Sequence, residues 1–259
     1  MKKLILIAAI AMPLMCEAAK KPVPLSPEAG AALTGKTIVV TRHAKPGFVA
    51  MTAGKAGFAL LGAGLMIAAG NKIVGENGIE DPADIIEREL APALVAHYGA
   101  KLKEGPSPVV KPTKAREIAA TQADGDYLLD VNSIGWSFAY YPTDWNNYWT
   151  GYTAHVQLIE RASGKLLSDM ACGANNQKHP SPPTREQMLE NHAQLLKDAT
   201  ASHGWSCVHT LAKEQFLLPD GAVAATPAEF VDPLAAYAAR SKGAPAPAAT
   251  PTAAATPAN

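Results

Sequence analysis

The sequence predicts an α/β protein of the α+β type, in which an antiparallel or mixed sheet with a long β-hairpin carries helices mainly on one face. Three observations predict this class. Residues 36–43 hold consecutive β-branched residues, Asp81-Pro82 is followed by apolar residues at helical spacing, and residues 126–173 alternate between apolar and polar side chains. A fold with one well-formed sheet and flanking helices fits all three.

The N-terminus has the pattern of a bacterial export signal: Lys2 and Lys3, an apolar run over residues 4–12, then the small residues Cys16, Ala18 and Ala19. Cleavage after Ala18 predicts a signal peptide at 1–18. The alternative is a lipoprotein signal at 1–15, which would leave Cys16 lipidated and the protein anchored to a membrane. Both schemes place the protein in the periplasm, either free or anchored to the outer membrane.

Composition divides the rest of the chain. Residues 19–35 are rich in Pro, Ala and Lys and predict a linker, and residues 36–218 predict a single α/β domain. Residues 219–240 predict a C-terminal helical extension. Residues 241–259 contain almost only Ala, Pro, Thr and Gly, which bury too little apolar surface to become ordered.

The first half of the domain begins with a buried strand at 36–43, followed by a Gly- and Ala-rich segment at 48–74. Its uncharged part is too short to span a bilayer. Residues 53–70 therefore predict either a membrane or oligomer contact, or a buried loop or helix under the sheet. Asp81 and Pro82 then predict a helix start, with Pro92 kinking or splitting that helix.

The second half predicts three long antiparallel strands. The parity of the apolar residues switches near Ser133, which predicts a β-bulge, and Gly164 predicts the turn before the third strand. Thr184 and Gln187 form a capping-box pattern for a helix to about residue 200, which Gly204 interrupts.

Charge and cysteine content exclude several classes of function. The chain has 23 basic and 23 acidic side chains without a basic cluster, which argues against a nucleic-acid partner. Because Cys16 is either removed or lipidated, Cys172 and Cys207 are left as a pair and predict a disulfide in an oxidising compartment. Their spacings with nearby histidines do not fit a metal site, and no phosphate-binding glycine motif occurs, so we expect neither metal nor cofactor.

One motif indicates catalysis. Thr41-Arg42-His43-Ala44 at a strand end resembles the start of the histidine phosphatase superfamily, and His203 resembles its second histidine. The resemblance implies phosphohydrolase chemistry through Arg42, His43 and His203. Its context differs, because His203 follows a helix-like stretch rather than an apolar strand. The alternative is that Arg42 and His43 are solvated strand-end residues.

An aromatic and amide cluster marks the hairpin tip and contains Trp145, Asn147, Tyr148 and Trp149. Such a cluster can face a sugar or a partner protein, or it can serve hairpin packing. We expect it to be a contact surface or a packing cluster, and the sequence leaves both open.

In element order the chain resembles bacterial periplasmic lipoproteins of the type that includes the curli secretion lipoprotein and its TolB-N-like relatives. The resemblance covers residues 36–218 and rests on residues 77–82 before the helix and on Gly164-Lys165-Leu166 in the hairpin turn. It implies a non-enzymatic accessory factor in envelope assembly or export, with envelope proteins as partners and a homo-oligomeric state.

Overall fold

The computed structural model describes residues 21–51 and 62–243, and it confirms the mixed α/β class. Within those residues one sheet holds seven strands: β1 (Thr37–His43), β2 (Phe48–Ala50), β3 (Lys101–Leu102), β4 (Val109–Val110), β5 (Tyr127–Tyr141), β6 (Asp144–Glu160) and β7 (Lys165–Asn175). The order is β3-β1-β5-β6-β7, with β2 pairing β5 and β4 pairing β1. The pairs made by β1 and β2 are parallel, and β5, β6 and β7 are antiparallel.

The helices are α1 (Pro27–Ala31), α2 (Gly62–Asn77), α3 (Pro82–Tyr98), α4 (Ala115–Thr121), α5 (Arg185–Thr210), α6 (Ala228–Val231) and α7 (Pro233–Gly243). A π-helical turn, Leu211–Gln215, continues α5. The main core joins α3 and α5 to one sheet face, while α4 covers a smaller cluster on the opposite face. The expectation that helices pack mainly on one face is confirmed.

The predicted bulge lies where the apolar parity switches. The register of β5 against β6 shifts between Ser133 and Gly135. As a result Val131 before the bulge and Trp136 after it are both buried in the main core, while Ile134 is 55% exposed. The extra residue keeps both halves of a long strand facing the same core.

Helix α3 begins as the sequence predicts, with the Asp81 carboxylate accepting from the Ala83 amide at 3.0 Å. Gly99 ends it in the left-handed conformation. Pro92 does not split the helix. Its side chain is on the exposed side, so solvent can hydrate the carbonyl that loses its amide donor.

Helix α5 has the predicted Thr184–Gln187 capping box, but its continuation differs from the prediction. Gly204 does not interrupt it, and the helix runs on to Thr210. A Cβ at Gly204 would lie 3.1 Å from the Pro82 carbonyl oxygen, so this glycine allows α5 and α3 to approach closely. The break occurs earlier, at residues 191–193, which have left-handed backbone angles.

The segment predicted as a linker is part of the folded unit from residue 21 onward. Ser26 caps α1, and Leu25 and Leu33 on either side of that helix are buried in the main core. Val23 forms an isolated antiparallel bridge with Asp169 on β7. The sequence does not reveal this, because single leucines anchor the segment and a periodic pattern of apolar residues is absent.

Candidate functional site

The end of β1 carries the motif that resembles a phosphatase, and the structure assigns His43 a hydrogen-bonded position. Its Nε2 lies 3.1 and 3.0 Å from the two carboxylate oxygens of Asp130, and Thr41 donates to Oδ1 of the same group at 2.6 Å. Asp130 is only 1% exposed. A buried carboxylate needs such partners, so this cluster ties β1 to β5. The expectation that His43 is solvated is wrong.

Arg42 projects to the other sheet face, as alternation along a strand requires. Its Nη1 donates to Oδ1 of Asp84 at 3.0 Å, and its Nε lies 3.9 Å from Oε1 of Glu87. Both carboxylates belong to the first turns of α3. Arg42 therefore links the end of β1 to α3.

His203 lies on α5 and does not meet His43. Its Nε2 lies 2.8 Å from the Thr150 hydroxyl on β6, and burial lowers the pKa of His203 to about 4, so the ring is neutral at pH 7. Thr150 and Asp130 lie on opposite faces of the sheet. Residues two positions away from Thr150 along β6 pack in the main core, whereas a residue two positions away from Asp130 along β5 packs in the smaller cluster on the other face. The two histidines of the predicted phosphatase site are thus separated by the sheet.

A second polar cluster, which the sequence analysis did not single out, joins α3 to the hairpin strands. Ser133 donates to Oδ1 of Asp81 at 2.5 Å, and its hydroxyl lies 2.9 Å from that of Tyr152. Burial raises the pKa of Asp81 and of Tyr152. No local signal could have revealed it, because the three residues come from three separate segments.

At the hairpin tip, some residues of the predicted contact cluster are exposed and one is buried. Trp145 is 62% exposed, and its indole nitrogen donates to the Pro142 carbonyl oxygen at 2.9 Å. Asn147 donates to Asp144 at 2.5 Å. Tyr148 is buried and its ring stacks on Phe138 with centroids 4.6 Å apart, so including Tyr148 in a contact surface was wrong.

Trp149 is half-buried on the opposite side of β6 from Tyr148. It lines a shallow groove together with Val49 of β2 and the exposed Ile134 of the bulge. Trp145, Asn147 and Trp149 therefore remain available as a surface, which we call the hairpin-tip surface.

The predicted disulfide between Cys172 and Cys207 is present and joins β7 to α5. Both cysteines are buried in the main core, with Cα atoms 5.6 Å apart. Cys16 and the export signal lie outside the described residues. In residues 21–51 and 62–243, no group of three His, Cys, Asp or Glu side chains is placed to hold a metal ion.

The Gly- and Ala-rich segment is described only in part, since residues 52–61 lie outside the described ranges. Its remainder forms β2 and α2, which pack on each other at Phe48 and Gly70. Among the described helices, none combines the length and apolar character needed to cross a bilayer.

These features define a disulfide-bonded, mixed α/β domain with a long β-hairpin. No protein-family model matches the sequence, and no curated protein matches it. Solved structures with partial similarity include a lipoprotein, GNA1162, from Neisseria meningitidis, at 11% identity and a TM-score of 0.27, covering 54% of this chain and 81% of that one.

Two further solved structures cover more of the chain. The PelC dodecamer from Paraburkholderia phytofirmans is 13% identical over 70% of this chain and 89% of that one, with a TM-score of 0.29. The hypothetical protein CT253 from Chlamydia trachomatis is 9% identical over 70% and 97%, with a TM-score of 0.33. Similarity at these TM-scores carries no functional argument, so the function is inferred from the side chains.

Proposed function

We propose that this protein is an exported, non-enzymatic accessory protein of the cell envelope, and that it binds another envelope protein through the hairpin-tip surface. The observation that carries the proposal is Trp145, a largely exposed indole whose Nε1 is already held by the Pro142 carbonyl oxygen. An ordered aromatic side chain loses little conformational entropy on binding, which is why such residues dominate protein interfaces.

The rigidity of the hairpin supports the same function. Tyr148 stacks on Phe138, and Trp136 is buried with its indole nitrogen donating to the Pro46 carbonyl oxygen at 3.0 Å. The base of the tip is therefore anchored to the core, and the tip strand is also bonded to residues 183–184 through Asn147 and Tyr148. A preorganised surface of this kind suits recognition of a protein surface.

Charge favours a protein partner over an anionic membrane. Residues 141–149 include Asp144 and no Lys or Arg. Peripheral attachment to anionic lipid relies on clustered basic residues, which this tip lacks. Aromatic side chains are enriched at protein interfaces.

Location outside the cytoplasm is supported by the export-signal pattern and by the disulfide, since such bonds persist in oxidising compartments. The alternative phosphatase function has no comparable support, because His43 is bound to a buried carboxylate and His203 lies on the other sheet face. Lipid attachment at Cys16 and self-association, both implied by the lipoprotein resemblance, belong to the proposal.

The test places a photo-crosslinking amino acid at Trp145 in intact cells, with Ser163 as the matched control. Ser163 is also exposed, but it lies beyond the other end of β6, about 50 Å away along the strand. We expect a discrete protein adduct from position 145 only. Adducts with lipid alone, or the same adducts from both positions, would refute protein recognition by the tip.

The same preparation yields the intact mass of the mature chain and its oligomeric state by light scattering. A mass increase at Cys16 equal to a lipid anchor supports attachment, and a mature chain starting at residue 19 supports a free periplasmic protein. A full-length, uncleaved cytosolic chain would refute export.

A further inference from the structure

Strand β7 lies at one edge of the sheet, and part of its outer side already pairs with another segment. Val23 and Asp169 exchange two backbone hydrogen bonds there, with N–O distances of 2.7 and 2.9 Å. This antiparallel bridge is isolated, so residues 21–22 do not extend it along β7. The outer side of β7 therefore accepts an antiparallel segment, and the pairing stops after one residue pair.

The second half of β7 has outward backbone groups without partners. Inward and outward groups alternate along an edge strand, so those of Ala171, Gly173 and Asn175 point outward like those of Asp169. The alternation holds to the strand end, because the Asn176 amide bonds the β6 backbone at 3.2 Å. Within residues 21–51 and 62–243, no backbone hydrogen bond fills the three outward positions, and all three residues are exposed.

This stretch of edge is ordered and lacks the usual protection. Exposed edge strands are commonly guarded by charged side chains, proline or a bulge. Residues 171–175 contain neither a charged residue nor proline, and their register with β6 is regular. The disulfide from Cys172 to Cys207 ties the same stretch to α5. A rigid, open edge of this kind is a template for another strand.

Two cavities lie beside this edge, one on each face of the sheet. One of about 600 Å³ lies on the α5 face, and the other, of about 540 Å³, is the groove beside Trp149. Residues 173–175 line both. Successive side chains of a strand point to opposite faces, so a strand added here would direct alternate side chains into the two cavities. In such strand addition, backbone bonds supply affinity and the cavities supply specificity.

The cavity on the α5 face favours an acidic side chain. Its acidic residue, Asp232, already pairs with His179, whose Nε2 lies 3.3 Å from Oδ1. Lys178 also lines this cavity and has no acidic partner within residues 21–51 and 62–243. His203, the remaining titratable residue of the lining, is neutral at pH 7. The uncompensated charge is therefore positive.

The groove on the other face favours an apolar side chain. Ile134, which is 55% exposed, and Val49 line it together with Trp149. Gly173 leaves space at the edge of this groove, because the nearest atom to a Cβ there, Oγ1 of Thr153, would be 3.8 Å away. A side chain opposite Gly173 can thus reach over the glycine into the groove.

We propose that an extended segment of a partner protein adds to β7 as an antiparallel strand at residues 171–175. An apolar side chain of the segment lies opposite Gly173 in the groove beside Trp149, and an acidic side chain points toward Lys178 on the other face. The inference rests on the proposed function for the existence of a protein partner, and it adds the mode of binding. Trp149 belongs both to this groove and to the hairpin-tip surface, so the two surfaces are continuous.

Amide hydrogen exchange of the purified mature protein first tests whether the edge is free. We expect fast exchange at Ala171 and Gly173, and slow exchange at Cys172, whose amide faces β6. Slow exchange at Gly173 that increases with protein concentration would show that a second copy covers the edge. Slow exchange independent of concentration would show that the protein's own chain covers it. Either result overturns the proposal.

The probe for strand addition is the peptide acetyl-Thr-Glu-Val-Glu-Thr-amide, with its valine placed opposite Gly173. We expect saturable shifts of the amides in residues 171–175 and slower exchange at Gly173. Methylation of the valine nitrogen removes a donor that must face β7 and should weaken binding about 10-fold or more. Methylation of the first glutamate nitrogen, which faces away, is the matched control with little change. Replacing both glutamates by lysine should weaken binding about 3-fold.

Two substitutions at one position repeat the test in the protein. Gly173→Pro removes the outward donor, which an edge strand tolerates, and should abolish the protection, whereas Gly173→Ala keeps the donor and should bind as before. No saturable shift, or equal effects of the two methylations, overturns the proposal without any variant, so a folding defect in Gly173→Pro leaves that test intact. A protein adduct from Trp145 with no peptide binding at β7 would refute strand addition alone, and the reverse result would refute recognition by the tip alone.

Discussion

Gly70 offers the sharpest test of how the Gly- and Ala-rich segment is used. It lies in α2, and a Cβ at this position would be 1.8 Å from the Phe48 carbonyl oxygen of β2. The clash is with backbone, so α2 and β2 would have to separate by about 1 Å or more. Gly75, five positions further along the same helix, has no atom within 4 Å of such a Cβ.

The expected effects of Gly70→Ala and Gly75→Ala have opposite signs. Alanine at an exposed helix position stabilises by about 0.5–1 kcal/mol, which is the full effect at Gly75. At Gly70, overpacking costs about 1–3 kcal/mol and outweighs that gain. Separation of β2 would also weaken the amide hydrogen bond from Met51 to the Phe138 carbonyl oxygen. Because the gain from alanine applies at both positions, the two variants should differ by the overpacking cost, about 1–3 kcal/mol.

Urea unfolding of both variants in detergent-free buffer measures the difference through the transition midpoints. Equal midpoints would refute the close packing of α2 on β2. They would instead favour the alternative that this segment serves a membrane contact and is loosely held in solution. Circular dichroism of both variants checks that the fold is retained.

Three further predictions concern the disulfide, the buried carboxyl and the strand-end histidine. Reduction of the bond between Cys172 and Cys207, separated by 35 positions, should lower the free energy of unfolding by about 4 kcal/mol at most; an unchanged urea midpoint would contradict this. Because the pKa of Glu87 is raised from 4.5 to about 7, the folded state retains a proton that the unfolded state releases between those values. Stability should therefore fall across that pH range, and Glu87→Gln should remove this component, which the difference between the two stability–pH curves measures. His43→Ala should cost about 2 kcal/mol by leaving the buried Asp130 with one partner fewer, while phosphate-ester hydrolysis stays at background in both proteins. A hydrolysis rate that the substitution abolishes would show that His43 is catalytic.

Local patterns predicted the elements whose causes are local. The N-cap at Asp81, the bulge near Ser133 and the capping box at Thr184 each depend on residues within a few positions of one another. The same reasoning was wrong at Gly204, where glycine suggested a helix end. There the glycine is required by contact with Pro82 on another helix, which no local pattern records.

In the candidate sites, too, only the features with local causes could be predicted from the sequence. The exposed indole of Trp145 could be predicted, because a turn tip leaves its side chains in solvent. Tyr148 was misjudged, since alternation along β6 decides that it faces the core. The raised pKa of Glu87 could not be predicted, because in the sequence it is an ordinary acidic residue in an early helical turn.

By itself the sequence determined the fold class and the pairing of Cys172 with Cys207, because periodicity, composition and cysteine parity are properties of the chain; the export signal stays a prediction from the sequence. Only the tertiary structure decided that His43 bonds Asp130, that His203 lies across the sheet, and that Glu87 is left in a cavity wall. The physical reason is that burial and ionisation depend on neighbours brought together by strand pairing. Those neighbours are distant in the chain and leave no trace in local periodicity.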